Sequence, residues 1–283
     1  MENKYIKRIA LITDISGLGN CSGTTNTAIL SSMGIECCVV PTAILSAQTG
    51  FPDYYIYDFT DCMKEYINSL EKISPKFDAI YIGFIANAEQ AEIIKRFVRK
   101  FRLEDTVIIT DPIIGDNGKR HSFFNDLLFK KISNLISDSD LITPNLTELC
   151  LLTDSNYNNI NSLDELEKYK SINELCQKLM KKSNIKTVVV TGIDSSTGYI
   201  SNLIAQKSGY EIVSNKKSGG SYSGTGDIFT SIVCGNILNG LTVINSVKQA
   251  ADFVSRILQE EHNNLTNRNY GIPYQLYLNN NIN

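Results

Sequence analysis

A parallel sheet is first indicated by the stretch Ile6-Lys7-Arg8-Ile9-Ala10-Leu11-Ile12-Thr13-Asp14, an apolar run of strand length. A glycine-rich turn follows it, and residues 21–33 have the pattern of a helix that Gly34 would end. Residues 35–41 are a second apolar run. A strand, a helix and a strand in this order form the unit from which parallel sheets are built.

The same alternation continues along the rest of the chain. Further strands are predicted at residues 77–82, 106–110, 141–143 and 186–191, with an antiparallel pair at 199–205 and 210–214. Further helices are predicted at residues 58–73, 87–101, 225–238 and 245–262, from Asn145 onward, and within 156–182. Residues 156–161 are expected to form a surface loop, and the tail from Leu278 is expected to be frayed. The pattern predicts an α/β fold: a doubly wound, mostly parallel central sheet with helices on both faces, in a single domain of residues 1–283.

The overall composition is that of an ordinary globular protein, with 283 residues, 42% of them hydrophobic and 20% charged. The net charge is −3, from 27 Lys and Arg against 30 Asp and Glu, so the chain lacks the basic excess that nucleic acid and anionic membranes attract. No signal-type segment opens the sequence, and no apolar stretch is long enough to span a bilayer. We therefore expect a cytoplasmic protein without nucleic-acid or membrane partners.

Cysteine and histidine usage limits the chemistry that the chain can perform. The seven cysteines include no Cys-x-x-Cys pair, which argues against a disulfide framework and against a zinc site. The adjacent Cys37 and Cys38 would point to opposite faces of a strand. The chain has only two histidines, His121 and His262, which argues against a Ser-His-Asp triad and against a histidine metal site. Catalysis would therefore rest on carboxylates, backbone amides and bound ions.

An anion-binding motif precedes the helix predicted at residues 225–238. It reads Ser218-Gly219-Gly220-Ser221-Tyr222-Ser223-Gly224-Thr225-Gly226-Asp227. Free N–H groups at a helix N-terminus attract anions, and glycines let a phosphate approach them closely. Asp227 would repel a phosphate, which favours a role as general base toward an attacking alcohol. The alternative is a carboxylate that only complements the helix dipole.

Two further motifs follow predicted strands. Asp111 and Asp116 belong to the sequence Asp111-Pro112-Ile113-Ile114-Gly115-Asp116, and a second motif reads Thr143-Pro144-Asn145-Leu146-Thr147-Glu148. In doubly wound sheets ligands bind beyond the carboxyl ends of the strands, and oxygen ligands of this kind suit Mg²⁺, usually together with water and phosphate. Glu148 could instead be only the third residue of a capping box.

Together these motifs resemble those of the ribokinase-like superfamily. Gly224-Thr225-Gly226-Asp227 is similar to its anion hole and base, and Asn145-Leu146-Thr147-Glu148 is similar to its Asn-x-x-Glu magnesium motif. The pyridoxal kinase branch is similar in addition at residues 45–51, 111–116 and 143–145, and the match spans nearly the whole chain. The resemblance implies transfer of the γ-phosphoryl group of ATP to the 5′-hydroxymethyl group of a B6 vitamer, with Asp227 as base.

The resemblance also assigns ligands and partners. It implies Mg²⁺ near Asp111, Asp116 and Glu148, a monovalent cation for which K⁺ is expected, and a homodimer. The residues that would lie along the ATP phosphates are Thr143, Asn145, Thr191 and Thr225, and Gly115 begins a turn that would form a mobile lid over ATP.

The residues on the acceptor side depart from the pyridoxal kinase pattern. Asp14 and Ser16 stand where many B6 kinases have a serine, and Asp-x-Ser-Gly is similar to the hydroxymethylpyrimidine kinases. Thr49 follows Ala47-Gln48, where a polar residue and a histidine are expected, and Phe84 replaces a tyrosine. The ring of Phe84 can still stack on an aromatic substrate.

Two alternatives therefore stay open beside the pyridoxal kinase hypothesis. One is a hydroxymethylpyrimidine kinase of thiamine synthesis. The other is a non-catalytic protein that binds a B6 vitamer or a nucleotide, which is disfavoured because Asp227, Asn145 and Glu148 are all present.

Overall fold

The computed structural model describes residues 5–264 and 267–280. The strands in this part of the chain are β1 (Arg8–Leu18), β2 (Glu36–Ala47), β3 (Ile56–Asp58), β4 (Ala79–Ile82), β5 (Val107–Thr110), β6 (Gly115–Asp116), β7 (Lys119–Arg120), β8 (Leu141–Ile142), β9 (Thr187–Asp194), β10 (Tyr199–Gln206) and β11 (Gly209–Lys216). The helices are α1 (Ser22–Ser32), α2 (Thr60–Ile73), α3 (Ala88–Phe101), α4 (Asp126–Ile136), α5 (Leu146–Thr153), α6 (Tyr157–Asn161), α7 (Glu165–Met180), α8 (Thr225–Leu238) and α9 (Val243–Glu261). Two 3₁₀ helices follow at Arg268–Tyr270 and Tyr274–Asn280.

The described residues form one nine-stranded sheet in the order β11-β10-β9-β8-β5-β4-β1-β2-β3. Its six central strands are parallel, whereas β10, β11 and β3 pair antiparallel with their neighbours. The short β6 and β7 form a separate antiparallel hairpin. The predicted mostly parallel α/β fold is therefore confirmed.

Helices cover both faces of the sheet, which explains why its central strands are apolar on both sides. Along β1, Ala10 and Ile12 pack into the cluster on one face, and Ile9 and Leu11 pack into the cluster on the other. All four side chains are fully buried. In β2, Cys38 packs against the first cluster and Cys37 against the second, as the two-residue period predicts.

The structure corrects several predicted boundaries. Residues 156–161, predicted to be a surface loop, are largely the exposed helix α6, because the Asn156 side chain accepts a hydrogen bond from the Asn159 amide and caps the turn. The predicted frayed tail is partly helical up to Asn280, whereas residues 281–283 lie outside the described residues. Strand β3 and helix α4 were not predicted.

The first two strands are longer than their apolar runs. Pairing between β1 and β2 continues past a register shift between Thr13 and Ile15 and ends at Leu18 and Ala47. Polar residues after Thr13 hide this extension from a search for apolar runs. The longer strands carry Asp14 and Ser16 to the carboxyl side of the sheet.

No helix among the described residues is both long and apolar enough to cross a bilayer.

Candidate active site

The predicted site residues gather along the carboxyl ends of the parallel strands. Asp14 lies in β1, Asp111 directly follows β5, and Thr143 directly follows β8. The N-terminus of α8 faces the same edge, because a Cβ atom built on Gly226 would lie 3.8 Å from Asp111 Oδ2. The topology thus brings together residues that are more than 200 positions apart in the chain, such as Asp14 and Asp227.

Helix α8 begins at a glycine that no other residue could replace without strain. Gly224 is its N-cap and has φ 78°, in the left-handed region. A Cβ atom at this position would overlap the carbonyl oxygen of Asn20. The first turn of α8 therefore rests directly on the loop that follows β1, and its free N–H groups are of the kind that could bind an anion there.

Asp227 lies in this first turn and is half-buried. Its Oδ2 accepts a hydrogen bond from the backbone N–H of Ser22, at 2.9 Å. Burial raises the pKa of Asp227 to about 7, with a smaller contribution from the negative charge of Asp14, while the Ser22 amide lowers it. A carboxylate with a pKa near the working pH is suited to general-base catalysis.

Asp14 is a second buried carboxyl group on the acceptor side. The hydroxyl of Ser16 donates to Asp14 Oδ2 at 2.9 Å, and that of Thr13 donates to Oδ1 at 3.3 Å. Burial raises the pKa of Asp14, although these hydrogen bonds oppose the shift. The structure thus brings the predicted substrate-binding residues Asp14 and Ser16 together beside Asp227.

A third group of carboxylates consists of Asp111 and Glu148. Burial raises the pKa of Asp111 well above its usual range, and the charges of Glu148 and Asp227 raise it further. Burial likewise raises the pKa of Glu148 to about 7, against hydrogen bonds from backbone amides. The repulsion that these buried carboxyl groups experience from neighbouring carboxylates would be relieved by a bound cation.

The donor set fits Mg²⁺ held largely through water and phosphate. No group of three His, Cys, Asp or Glu residues in the described part of the chain is arranged to hold a metal ion by itself. Mg²⁺ usually keeps several waters and binds through one or two carboxylates and substrate phosphates. Asp111 and Glu148 could supply these carboxylates. Asp116, the third predicted ligand, lies exposed on the β6–β7 hairpin and accepts hydrogen bonds from Asn117, and its charge adds to the effect of burial in raising the pKa of Glu148.

Glu148 also caps the start of α5, as the alternative interpretation predicted. The side chain of Asn145 accepts from the Glu148 amide, and Glu148 Oε2 accepts from the Asn145 amide at 2.9 Å, so the two form a capping box. Oε1 accepts from the amide of Ile114 at 2.8 Å, and Asn145 Nδ2 donates to the carbonyl of Gly115 at 2.9 Å. The start of α5 therefore holds the loop between β5 and the β6–β7 hairpin.

At about pH 4, replacing Glu148 with Gln is expected to lower the free energy of unfolding by about 1–3 kcal/mol, because one of the two buried amides would then face an NH₂ group. Above about pH 7 the removal of a buried charge opposes this loss, since burial raises the pKa of Glu148 to about 7. Urea denaturation followed by circular dichroism measures this change. The matched control is Glu167→Gln, the same substitution at the third position of α7 but at an exposed site, for which a change below about 0.5 kcal/mol is expected. Equal effects of the two substitutions would contradict this role of Glu148.

The remaining residues predicted to contact the nucleotide lie on neighbouring strands and helix starts. Thr143 is buried and accepts a hydrogen bond from Thr230 of α8 at 3.0 Å. Thr191 forms an isolated parallel bridge with Asn145, which places the two side by side. Thr225 donates to the carbonyl of Tyr222 at 3.1 Å. Gly115 begins the β6–β7 hairpin, where a Cβ atom would overlap the carbonyl oxygen of Lys119.

The predicted acceptor residues Thr49 and Phe84 follow strands β2 and β4. Thr49 is exposed in the turn after β2. The carbonyl of Phe84 accepts from Thr42 at 2.8 Å, and its ring packs edge-on against Phe123 with centroids 5.6 Å apart. Phe123 in turn stacks on His121 at 5.7 Å.

Sequence reasoning missed Phe123 and Ser22. Ser22 has φ 56°, and this strained conformation directs its amide to Asp227. The glycines on both sides of residues 20–22 were the available signal for an unusual backbone there. No sequence pattern indicated Phe123, because its neighbour Phe84 is 39 positions away in the chain and is brought close only by the fold.

Comparison with known proteins identifies related sequences across most of the chain. A family model described as phosphomethylpyrimidine kinase matches residues 28–272. A hydroxymethylpyrimidine/phosphomethylpyrimidine kinase of Aquifex aeolicus is 25% identical over 250 residues, which cover 87% of this chain and 92% of that protein. The pyridoxal kinase PdxY of Histophilus somni is 26% identical over 196 residues, or 66% of this chain and 64% of that protein.

A similar crystal structure comes from Bacteroides thetaiotaomicron, a protein assigned as a phosphomethylpyrimidine kinase. It is 32% identical, with a TM-score of 0.92 over 99% of this chain and 95% of that one. A second crystal form of a Bacteroides thetaiotaomicron protein assigned as a phosphomethylpyrimidine kinase contains pyridoxal. Its TM-score is 0.88 over 98% of this chain and 96% of that one. The resemblance predicted from the motifs is confirmed.

Proposed function

The chain belongs to the phosphomethylpyrimidine kinase family, and on that basis we propose that it is an ATP-dependent kinase that phosphorylates the 5′-hydroxymethyl group of pyridoxal, pyridoxine or pyridoxamine. The observation that carries this proposal is Asp227, a half-buried carboxylate with a pKa raised to about 7, in the first turn of a helix whose amides can bind a phosphoryl group. The pyridoxal-containing crystal form of the Bacteroides protein supports a B6 vitamer as acceptor.

In the proposed reaction Asp227 takes the proton of the acceptor hydroxyl as its oxygen attacks the γ-phosphorus of ATP. The bond from the γ-phosphorus to the bridging oxygen breaks, and ADP leaves with the electron pair. The amides at the start of α8 stabilise the charge on the transferred group. Asp14 and Ser16 hold the acceptor ring, with Thr49 and Phe84 at its margin. Mg²⁺, held by Asp111 and Glu148 through water, would neutralise the phosphate charge.

The other ligands and partners belong to the same proposal. Asn145, Thr143, Thr191 and Thr225 would lie along the phosphates of ATP, with the hairpin of Gly115 and Asp116 above them. A monovalent cation and a homodimer remain predictions from the family resemblance. A cytoplasmic location and a single domain spanning residues 1–283 remain predictions from the sequence itself.

A coupled ADP-release assay with MgATP tests the proposal. Pyridoxal, pyridoxine, pyridoxamine and hydroxymethylpyrimidine are compared by kcat/KM, because specificity is defined by that ratio. Turnover that is fastest with a B6 vitamer is the expected result. No turnover with any of the four acceptors would refute the proposed kinase activity on these alcohols.

A hydroxymethylpyrimidine kinase is the second candidate. It is favoured by the buried Asp14 with its Ser16 hydrogen bond, the feature that departs from the pyridoxal kinase pattern. The similarity to the Aquifex protein over 92% of its length points the same way. Turnover confined to the pyrimidine would establish this activity in place of the first.

Replacing Asp14 with Asn is expected to lower kcat/KM for the preferred acceptor by about 10- to 100-fold, while KM for ATP changes less than about threefold. A hydrogen bond between a charged group and a polar ring is worth about 1.5–3 kcal/mol, and Asn preserves the size of the side chain. Steady-state kinetics with each substrate varied in turn measure the effect. A larger loss for ATP than for the acceptor would show that Asp14 does not bind the acceptor.

A further inference from the structure

The C-terminal segment, residues 268–275, lies against three loops of the proposed active site. These are the loop after β1 at residues 19–20, the loop after β2 at residues 48–51 and the loop before α8 at residues 223–224. The three loops carry different functions in the proposed reaction, because the second contains Thr49 and the third leads to the anion hole. A single segment of chain therefore contacts both the acceptor side and the phosphoryl side.

Asn20 connects this segment to the anion hole. Its amide donates to the carbonyl of Tyr270 at 3.0 Å, its Nδ2 donates to the carbonyl of Ile272 at 2.9 Å, and its Oδ1 accepts from Gln275 at 2.7 Å. Its own carbonyl oxygen is the atom that a side chain at Gly224 would overlap. The position of Asn20 thus limits where the N-terminus of α8 can lie.

The segment also binds the loop before α8 directly. The amide of Ser223 donates to the carbonyl of Arg268 at 3.1 Å. Gly271 has φ 75°, and a Cβ atom there would lie 2.8 Å from the carbonyl oxygen of Ser223. Close backbone contact on both sides of Gly224 leaves the start of α8 little freedom to shift.

Asn269 connects the segment to the loop of Thr49. Its Nδ2 donates to the carbonyl of Gly50 at 2.6 Å, and its carbonyl accepts from the side chain of Gln48 at 3.0 Å. The ring of Tyr270 packs edge-on against Phe51, with centroids 5.1 Å apart. Thr49 itself is exposed, so these contacts of its neighbours fix its place.

The segment is anchored in the core by two side chains. Ile272 is fully buried and Tyr274 is 4% exposed, and both belong to the same hydrophobic cluster as Ile9 and Leu11 of β1 and the buried face of α8. In contrast, Gln275 is exposed and Asn269 is half-buried. The apolar residues therefore hold the segment in place, while the polar residues contact the loops.

We propose that the C-terminal segment positions the two halves of the active site through separate residues. Asn20, held by Gln275, positions the anion hole, and Asn269 positions the loop that binds the acceptor. The kinetic consequence rests on the proposed kinase function. Each of these residues would act through another residue of the site, so we assign them as positioning residues.

Kinetics of single variants test the division. Asn20→Ala is expected to lower kcat about tenfold with KM for the acceptor within about twofold, because the interaction lost affects the phosphoryl group in the transition state. Asn269→Ala is expected to raise KM for the acceptor about tenfold with kcat within about twofold. The control is Asn264→Ala, which removes an exposed amide that binds Glu261 and for which wild-type kinetics are expected. If Asn20→Ala and Asn269→Ala change kcat and KM in the same way, the proposed division is overturned.

Hydrogen exchange tests the positioning without any assumption about the substrate. In Gln275→Ala the amides of Asn20 and Ser223 are expected to exchange faster than in the wild type by about tenfold, whereas Asn264→Ala leaves them unchanged. Unchanged exchange in Gln275→Ala would refute the role of this side chain, even if the protein phosphorylates a B6 vitamer. Faster exchange in a protein that phosphorylates none of the four alcohols would support the positioning role and refute only the proposed function.

Discussion

The substitution Asp227→Asn is expected to reduce kcat by about 10²- to 10⁴-fold, the usual contribution of a general base. Asn has nearly the same shape, and its Oδ1 can still accept the hydrogen bond that Ser22 donates at 2.9 Å in the wild type. Binding of ADP, measured by titration calorimetry, should therefore stay within about threefold of the wild-type affinity. Near-normal turnover would contradict the assignment of Asp227 as base.

The pH dependence of the wild type gives an independent check on the same residue. The base must be ionised to accept a proton, and burial raises the pKa of Asp227 to about 7. The ratio kcat/KM should therefore fall as the pH decreases through about 7, since this ratio reports the free enzyme. In Asp227→Asn the contribution of Asp227 to this fall should disappear, and any inflection left near pH 7 would belong to Glu148, whose pKa burial also raises to about 7.

The same pKa implies that Asp227 opposes folding at neutral and alkaline pH. Its folded pKa of about 7 lies above the unfolded value of about 3.9, so the folded state holds a proton that the unfolded state has released. The destabilisation begins as the pH rises above about 4 and is complete above about 7. Asp227→Asn should therefore raise Tm at pH 8 and have little effect on Tm at pH 4.

The second large effect is expected for Gly224→Ala. The free energy of unfolding should fall by roughly 3 kcal/mol, combining about 1–2 kcal/mol for a left-handed conformation with about 1–3 kcal/mol for overpacking against Asn20. The amides of the anion hole would move with the N-cap, so kcat should fall by about 100-fold or more. Urea denaturation and the ADP-release assay measure the two effects.

Gly226→Ala is the matched comparison two residues further on. A Cβ atom there would meet only Asp111 Oδ2, at 3.8 Å, and the residue is exposed within the first turn of α8. The variant should be as stable as the wild type or more stable by up to about 1 kcal/mol, because Ala favours helix more than Gly. Its activity should nevertheless fall, since the methyl group would stand between the helix amides and Asp111. Normal activity would show that phosphate does not approach α8 at this point.

Local chemistry explains why much of this site could be predicted. Alternating apolar runs predicted the parallel sheet, and Gly224-Thr225-Gly226-Asp227 predicted a helix start at Thr225, where α8 begins. The capping box of Asn145 and Glu148 spans only four residues, so both its chemistry and its geometry are contained in adjacent sequence. Backbone conformation and caps depend on neighbours in the chain, which a sequence displays directly.

The contacts that make these motifs into one site depend on distant residues. The amide of Ser22 reaches Asp227 across 205 positions, and Asn20 meets Gln275 across 255. No local pattern encodes such pairs, because they follow from the order of strands in the sheet and from the packing of α1 against α8. The sequence alone therefore predicted most of the strands and helices and the chemical groups at their ends, but not β3 or α4. Only the tertiary structure decided which of these groups face one another. Burial and electrostatic repulsion, which raise the pKa values of the carboxyl groups, also arise only when the elements pack.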